Sequence, residues 1–115
     1  MNDTITIYQK PTCSKCRATL EILNESGVEF EAVNYYDTPL TAEKLKELIR
    51  KLNIPVRDVL RKDEPLARGL GSVSDDELIK AMIDNPDLIQ RPIVVRGDTA
   101  RVCRPPENVR ELLGK

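Results

Sequence analysis

The beginning of the chain has the pattern of a strand, a helix and a second strand. Ile5–Tyr8 and Phe30–Tyr35 are predicted strands because they are short apolar runs rich in β-branched and aromatic residues. A helix is predicted from Cys13 to about Ser26, with Gly27 in the left-handed position that often ends a helix. Two strands joined by a helix in this way lie parallel, with a right-handed crossover. The chain is therefore predicted to begin as an α/β layer fold.

The middle of the chain has helical patterns and no strand pattern. Thr41 is a predicted N-cap, and Ser74 with Glu77 is a predicted capping box, so each begins a helix with one buried face. Pro55–Leu60 predicts a short helix between them, and Lys62–Ser72 predicts a loop. We therefore expect a helical insert at about residues 40–88. The predicted buried faces are Leu45, Leu48, Ile49 and Leu52 in one helix, and Leu78, Ile79, Met82 and Ile83 in the other.

The last part of the chain predicts a hairpin and a helix. Pro92–Val95 and Ala100–Cys103 are predicted strands around the turn Gly97-Asp98, and Pro106–Leu113 is a predicted helix. The element order is then β-α-β, a helical insert, and β-β-α. For 115 residues we predict a single α/β domain, residues 1–115, with a four-stranded mixed sheet. The inward side chains of the last helix are predicted to be Val109, Leu112 and Leu113.

Cys13 and Cys16 form a Cys-x-x-Cys pair at the predicted start of the first helix. At that place the unpaired N–H groups and the positive end of the helix favour a thiolate over a thiol at Cys13. Lys10, Lys15 and Arg17 surround the same turn, and nearby cations lower a cysteine pKa further. We therefore predict nucleophilic or redox chemistry at Cys13, with Cys16 as a second thiol.

Two other interpretations of the Cys-x-x-Cys pair are weaker. A four-ligand zinc site cannot be assembled within one chain, because Cys103 is the only other cysteine and the chain has no histidine. A structural disulfide across so short a loop restrains the unfolded chain little, and we expect no secretory signal. Cys103 follows Val102 in a predicted strand, so a small buried apolar role is favoured over a redox role.

The charge balance limits the possible partners. Lysine and arginine number 18 against 19 aspartate and glutamate residues, so no overall field attracts nucleic acid or an anionic membrane. No apolar run approaches the length of a membrane span. We expect a soluble, monomeric, cytoplasmic protein with reduced thiols and with neither nucleic acid nor membrane as a partner.

Arg61, Arg91 and Arg104 are candidate ligands for an anion. Taken singly, each is more typical of a surface arginine. Taken together, Arg91 and Arg104 fall at the ends of the predicted hairpin strands, and Arg61 belongs to the helical insert. Guanidinium groups that converge on a thiolate would bind a tetrahedral oxyanion through forked hydrogen bonds. The sequence therefore predicts an oxyanion site, provided that the fold brings these arginines together.

Four segments together resemble the glutaredoxin-coupled arsenate reductase (ArsC) family. They are Ile5-Thr6-Ile7-Tyr8 followed by Pro11-Thr12-Cys13 and Arg17, then residues 56–62, residues 91–95, and residues 101–105. The resemblance covers nearly the whole chain, in order and at suitable spacings.

The resemblance implies a thioredoxin-like fold with a helical insert and a cis peptide bond before Pro92. It implies that Cys13 attacks arsenate while Arg61, Arg91 and Arg104 hold the oxyanion. It also implies no bound cofactor, with glutathione as a co-substrate and glutaredoxin as a partner.

The sequence departs from the family's pattern at two places. Gln9 stands where better-known members have a histidine, so it can orient a group by hydrogen bonding but cannot transfer protons at neutral pH. Cys16 stands where many members have a small residue without a thiol. A thiol one helical turn from Cys13 could form an internal disulfide that glutaredoxin or thioredoxin then reduces.

Two other functions fit parts of the sequence. A general glutaredoxin-like thiol-disulfide oxidoreductase needs only the Cys-x-x-Cys pair. A redox-sensing regulator resembling the Spx type, which binds RNA polymerase, shares the fold, the cysteine pair and an Arg-Pro before the third strand. The segment Val102-Cys103-Arg104-Pro105 is more typical of the reductases than of such regulators.

Overall fold

The computed structural model describes residues 4–10, 14–38, 40–62, 64–70, 72–103 and 106–113. Its strands are β1 (Ile5–Gln9), β2 (Phe30–Asn34), β3 (Ile93–Arg96) and β4 (Thr99–Val102). Its helices are α1 (Ser14–Ser26), α2 (Ala42–Leu52), α3 (Val56–Val59), α4 (Asp75–Asp84) and α5 (Arg110–Leu113). No helix in the described ranges combines the length and apolar character needed to cross a membrane. The chain divides into two compact units, Met1–Thr38 with Arg91–Lys115, and Pro39–Gln90.

The first unit contains a four-stranded mixed sheet with the order β2-β1-β3-β4. Strands β1 and β2 are parallel, whereas β3 is antiparallel to both β1 and β4. Gln9 pairs with Asn34, and Tyr8 pairs with Ile93, so the ends of β1 and β2 and the start of β3 share one edge. We call this edge, marked by Gln9, Asn34 and Ile93, the Gln9 edge. The predicted α/β fold with a mixed sheet is confirmed.

One face of the sheet carries the core of the first unit. Alternate residues of a strand point to the same face, which places Ile5 and Ile7 of β1 side by side. They pack with Leu23 of α1, and Leu113 is half-buried against the same cluster. The other buried members are Val94, Cys103, Val109 and Leu112. Helices α1 and α5 therefore contribute to the same core.

The second unit is helical, and its two long helices begin as predicted. The Thr41 hydroxyl accepts a hydrogen bond from the Lys44 N–H (3.1 Å), and the Ser74 and Glu77 side chains form both hydrogen bonds of a capping box. Helix α4 packs against α2 and α3. The predicted buried residues are buried except Ile83, which is half-buried. Ile83 follows Met82 by about 100° around the helix, at the border of the apolar stripe.

Several element bounds differ from those predicted. The last helix begins as a 3-10 turn at Pro106–Val109 before it becomes α5, and Pro65–Ala67 forms a 3-10 turn within the predicted loop. Both turns start at a proline, which lacks an N–H group and so fits the first position of a helical turn. The strands of the hairpin are shifted by about one residue, but the Cys103 N–H still donates to the Pro92 carbonyl (2.9 Å). The pairing of β3 and β4 therefore continues past the end of β4.

Candidate active site

Two of the predicted site residues lie outside the described residues. These are Cys13, the expected nucleophile, and Arg104, one of the three expected oxyanion ligands. Helix α1 begins at Ser14, the residue that follows Cys13 in the sequence. Since β1 ends at Gln9, the connection from β1 to α1 leaves the sheet at the Gln9 edge. The roles of Cys13 and Arg104 stay predictions.

Cys16 lies in the first turn of α1 and is fully buried, with 0% of its surface exposed. Its sulfur is not part of a disulfide. A negative charge on Cys16 would raise the pKa of both Tyr35 and Cys103, so its thiol lies within electrostatic reach of both. In this state Cys16 is shielded from reagents in solution.

Arg91 brings a buried positive charge to the Gln9 edge. It precedes β3 by two residues and is 9% exposed. The peptide bond between Arg91 and Pro92 is cis, as the family resemblance predicts, and Pro92 is buried. A guanidinium stays charged when it is buried, because its pKa is far above neutral. The first unit therefore holds the buried positive charge of Arg91 at the Gln9 edge, where the connection from β1 to α1 begins.

Tyr35 is a buried residue of this edge that the sequence analysis did not select. It follows β2 directly, is 1% exposed, and its hydroxyl lies within hydrogen-bonding reach of the Arg91 guanidinium. Burial raises the Tyr35 pKa well above its usual value, Tyr36 and Cys16 add to this rise, and the nearby Arg91 charge opposes it. The hydroxyl therefore keeps its proton at physiological pH.

A sequence signal for Tyr35 did exist. Parallel strands bring their carboxyl ends to one edge of a sheet, which is where ligands of α/β proteins bind. The residue that follows β2 therefore lies next to the connection that follows β1. An aromatic residue with a hydroxyl at that position is a candidate site residue on topology alone.

The predicted supporting residues differ in their exposure. Gln9 is 8% exposed, and its Oε1 atom has no hydrogen-bond partner among the described residues. The Lys10 Nζ atom lies 4.9 Å from the centroid of the Tyr36 ring, within the range of a cation–π contact. Arg17 is exposed on α1. These observations describe the surroundings of Gln9 and Lys10. The effect of both residues on Cys13 stays a prediction.

Arg61 lies in the second unit, directly after Leu60 at the end of α3. It forms hydrogen bonds with residues of the same unit. Its backbone N–H donates to the Leu88 carbonyl (2.7 Å), and its Nη1 atom donates to the Asp87 carbonyl (3.4 Å). The same Nη1 is 3.9 Å from a carboxylate oxygen of Glu64, and the side chain is 17% exposed. An oxyanion bound by Arg61 would have to compete with this carboxylate.

Cys103 is a buried thiol in the core of the first unit, as expected for a small apolar residue. Burial raises its pKa to about 12, and the negative charge of Glu111 adds to the rise. Its sulfur lies 3.8 Å from the Arg101 carbonyl oxygen, to which the thiol donates weakly. Since the thiolate is the reactive form, Cys103 is poorly suited to nucleophilic chemistry.

This protection of Cys103 makes a prediction about alkylation. A free thiol ionises near pH 8.5 and becomes reactive as the pH approaches 9. The raised Cys103 pKa keeps the neutral form up to about pH 12, so native Cys103 should not be alkylated by iodoacetamide between about pH 7 and 9. Peptide mapping by mass spectrometry checks this, with protein unfolded in urea as the fully labelled control. Rapid labelling of native Cys103 would show that the burial is not maintained in solution.

The described part of the Gln9 edge suits a small anion better than a metal ion. It offers the guanidinium of Arg91 and the hydroxyl of Tyr35, both of which donate hydrogen bonds. Within the described ranges, no group of three or more histidine, cysteine, aspartate or glutamate side chains could hold a metal ion. The geometry therefore supports anion binding at this edge.

Comparisons with known proteins agree with this geometry. A sequence model described as the ArsC family matches residues 8–112. YfgD of Escherichia coli (strain K12), a protein described as uncharacterized, is 44% identical over 119 aligned residues, which cover 99% of this chain and 100% of YfgD. An arsenate reductase of Yersinia enterocolitica is 44% identical over 113 residues, which cover 95% of this chain and 80% of that protein.

A solved structure described as an arsenate reductase from Vibrio cholerae has the same fold. It superposes with a TM-score of 0.90 at 39% sequence identity, over 97% of this chain and 99% of that one. With the strand order, this superposition confirms the predicted thioredoxin-like fold. The family model matches far more than half of the sequence. The arsenate reductase of Yersinia enterocolitica is 44% identical to this chain. The chain therefore belongs to the ArsC family.

Proposed function

We propose that this protein reduces arsenate to arsenite, with Cys13 as the nucleophile. The observation that carries the proposal is the buried guanidinium of Arg91 at the Gln9 edge, where the connection containing Cys13 begins. A buried cation there would offset the charge of a tetrahedral oxyanion and of the thiolate that attacks it. Support for arsenate as the oxyanion comes from relatives called arsenate reductases, which match 95% of this chain.

The first proposed step forms an arsenic–sulfur bond. The Cys13 thiolate attacks arsenic(V), an arsenic–oxygen bond breaks, and the leaving hydroxide takes up a proton and departs as water. Arsenic stays in the +5 state. Arg91, with Arg61 and Arg104 as further proposed ligands, stabilises the negative oxygens during the exchange.

The second proposed step transfers two electrons. A second thiolate attacks the Cys13 sulfur, a disulfide forms, and the electron pair of the arsenic–sulfur bond stays on arsenic, which leaves as arsenite. If the second thiol is glutathione, glutaredoxin reduces the mixed disulfide. If it is Cys16, glutaredoxin or thioredoxin reduces the internal disulfide. Since both routes need reduced thiols, we place the protein in the cytoplasm. We also propose that it acts as a monomer without a bound cofactor.

The place of Cys16 is compatible with the internal route. Cys16 is 0% exposed, so it does not react readily with an external reagent, but it lies three residues after Cys13 in the first turn of α1 and needs no reagent from solution to meet it. An internal disulfide would remove the need for glutathione to enter the site.

Replacement of Cys16 by serine tests which thiol acts in the second step. If Cys16 resolves the adduct, Cys16→Ser should lower arsenate-dependent NADPH consumption by about tenfold or more with thioredoxin and its reductase. The same variant should keep activity with glutathione, glutaredoxin and glutathione reductase only if glutathione can replace Cys16. Cys103→Ala, which removes a different buried thiol, is the matched control and should keep most of the wild-type activity with both donor systems.

These assays also test the proposed function itself. Turnover of arsenate by the wild type with either donor system supports it. Absence of turnover with both donor systems, by a protein shown to be folded, would overturn it.

A second candidate function is general thiol-disulfide oxidoreduction. The observation in its favour is the buried Cys16 in the first turn of α1, which suits the resolving thiol of any Cys-x-x-Cys enzyme. Reduction of a small disulfide at a rate far above arsenate reduction, insensitive to the loss of Arg91, would favour this function.

A further inference from the structure

Glu64 holds a negative charge beside Arg61, one of the proposed ligands of the oxyanion. A carboxylate oxygen of Glu64 lies 3.9 Å from the Arg61 Nη1 atom, and the side chains of Arg61 and Glu64 are 17% and 24% exposed. This distance is longer than a hydrogen bond, so the two charges attract each other without forked hydrogen bonds. The pair is therefore weaker than a close arginine–carboxylate pair, and another anion can open it.

The Arg61 guanidinium has donors that the second unit does not use. Its Nη1 atom donates to the Asp87 carbonyl oxygen (3.4 Å), and the contact with Glu64 involves the same atom. Among the described residues, neither Nε nor Nη2 of Arg61 makes a hydrogen bond. These two nitrogens form a fork that fits two oxygens of a tetrahedral anion. Arg61 can therefore bind an oxyanion and keep its hydrogen bond to Asp87.

The backbone of Glu64 is held in place independently of its carboxylate. Its N–H donates to the Arg61 carbonyl (3.1 Å), and its own carbonyl oxygen accepts from the Ala67 N–H (2.8 Å). The loop that contains Glu64 is also tied to α3, because the Arg57 guanidinium donates to the Leu70 carbonyl (3.2 Å). Rotation of the Glu64 side chain therefore separates it from Arg61 without unfolding the loop.

We propose that Glu64 competes with the oxyanion for Arg61. In the free protein the Glu64 carboxylate offsets the Arg61 charge, and a bound oxyanion displaces this carboxylate towards solvent. The inference rests on the proposed function, which makes Arg61 a ligand of the oxyanion, and it adds what limits the affinity of that ligand. Glu64 is a positioning residue in this proposal, because it acts on the anion through Arg61.

The competition weakens the first binding of any oxyanion at this arginine. Phosphate resembles arsenate in shape and charge but is not reduced by thiols, so it occupies the site without turnover. Tighter binding of arsenate before the reaction would lower KM without raising kcat. Glu64 therefore limits inhibition by phosphate without lowering kcat. Arsenite is uncharged near neutral pH, so Glu64 pairs with Arg61 again once the product has formed.

The Glu64→Gln variant tests this competition. Glutamine keeps the size of the side chain and removes its charge, so phosphate should bind about three- to fivefold more tightly in a calorimetric titration. Inhibition of arsenate reduction by phosphate should become stronger by a similar factor. A residue that only supports the loop would have the opposite effect, because its replacement would weaken phosphate binding.

Two further variants control for net charge and for shape. Glu111→Gln removes a carboxylate from another arginine pair, with Arg101 (2.8 Å), and should change the phosphate affinity by less than about 1.5-fold. Glu64→Asp keeps the charge, so it should bind phosphate more weakly than Glu64→Gln does. Equal tightening in both Glu64 variants would overturn the inference, as would unchanged, weaker or absent phosphate binding by Glu64→Gln.

A double-mutant cycle shows whether Glu64 acts through Arg61. Arg61→Gln alone should weaken phosphate binding. The addition of Glu64→Gln to Arg61→Gln should then change the affinity by less than about 1.5-fold, because no guanidinium is left to compete for. If Glu64→Gln gives the same gain in both backgrounds, the carboxylate repels the anion directly and the competition for Arg61 is wrong.

The binding measurements are independent of turnover. A wild type that reduces arsenate, together with a Glu64→Gln variant of unchanged phosphate affinity, contradicts this inference and leaves the proposed function standing. A cycle that behaves as described, in a protein that does not reduce arsenate, contradicts the proposed function and supports the competition for Arg61.

Discussion

The Cys13→Ser variant is expected to reduce arsenate more slowly than the wild type by about three orders of magnitude or more. A serine hydroxyl is a far weaker nucleophile than a thiolate near neutral pH. Serine also cannot form the disulfide whose formation supplies arsenic with two electrons. Both steps of the proposed reaction therefore stop, whichever thiol acts second. The measurement is arsenate-dependent NADPH consumption with each donor system in excess.

The controls for this loss use the other cysteines. Cys103→Ala changes a thiol that is fully buried in the core and should keep most of the activity, at some cost in stability. Phosphate binding by Cys13→Ser should persist, because the proposed ligands of the anion are arginines and not the sulfur. If Cys13→Ser keeps turnover while Cys16→Ser loses it, Cys16 is the nucleophile and the proposed roles of the two thiols are reversed.

Local signals in the sequence were sufficient for most of the fold. The capping box of Ser74 and Glu77 and the N-cap of Thr41 form as predicted, because their hydrogen bonds join residues close together in the chain. Gly27 has a φ of +78°, as expected at the end of α1. Two of the three strand pairings, β1 with β2 and β3 with β4, join strands that are neighbours in the chain, whereas the pairing of β1 with β3 joins strands far apart in the sequence.

The candidate site was less predictable, because its contacts join residues far apart in the sequence. The sequence predicts Arg61 as an oxyanion ligand, but it does not show that Glu64 and the Asp87 carbonyl oxygen lie beside its guanidinium. The sequence predicts Tyr35 only as the end of a strand, since nothing local shows that its hydroxyl is buried beside Arg91. The exposure of a polar atom depends on packing across the whole unit, which periodicity along the chain does not report.

The loss of Arg91 is expected to lower kcat/KM for arsenate by about two orders of magnitude or more. Arg91 is 9% exposed, and a cation shielded from water stabilises a developing negative charge more strongly than a surface cation does. Arg91→Lys keeps the charge but not the forked donors, so its activity should lie between those of Arg91→Ala and the wild type. Arg110→Ala, which removes an exposed arginine, is the control for net charge.

The alkylation of Cys13 separates the binding role of Arg91 from a structural role. Iodoacetamide is neutral and iodoacetate is an anion of similar size, so the ratio of their rates reports the local potential at the thiol. Arg91→Ala should lower the rate with iodoacetate relative to iodoacetamide, while the rate with iodoacetamide stays close to that of the wild type. Equal losses with both reagents would mean that Arg91 holds the shape of the site or the ionisation of Cys13. In that case the buried cation acts on the nucleophile, and Arg91 is not a ligand of the oxyanion.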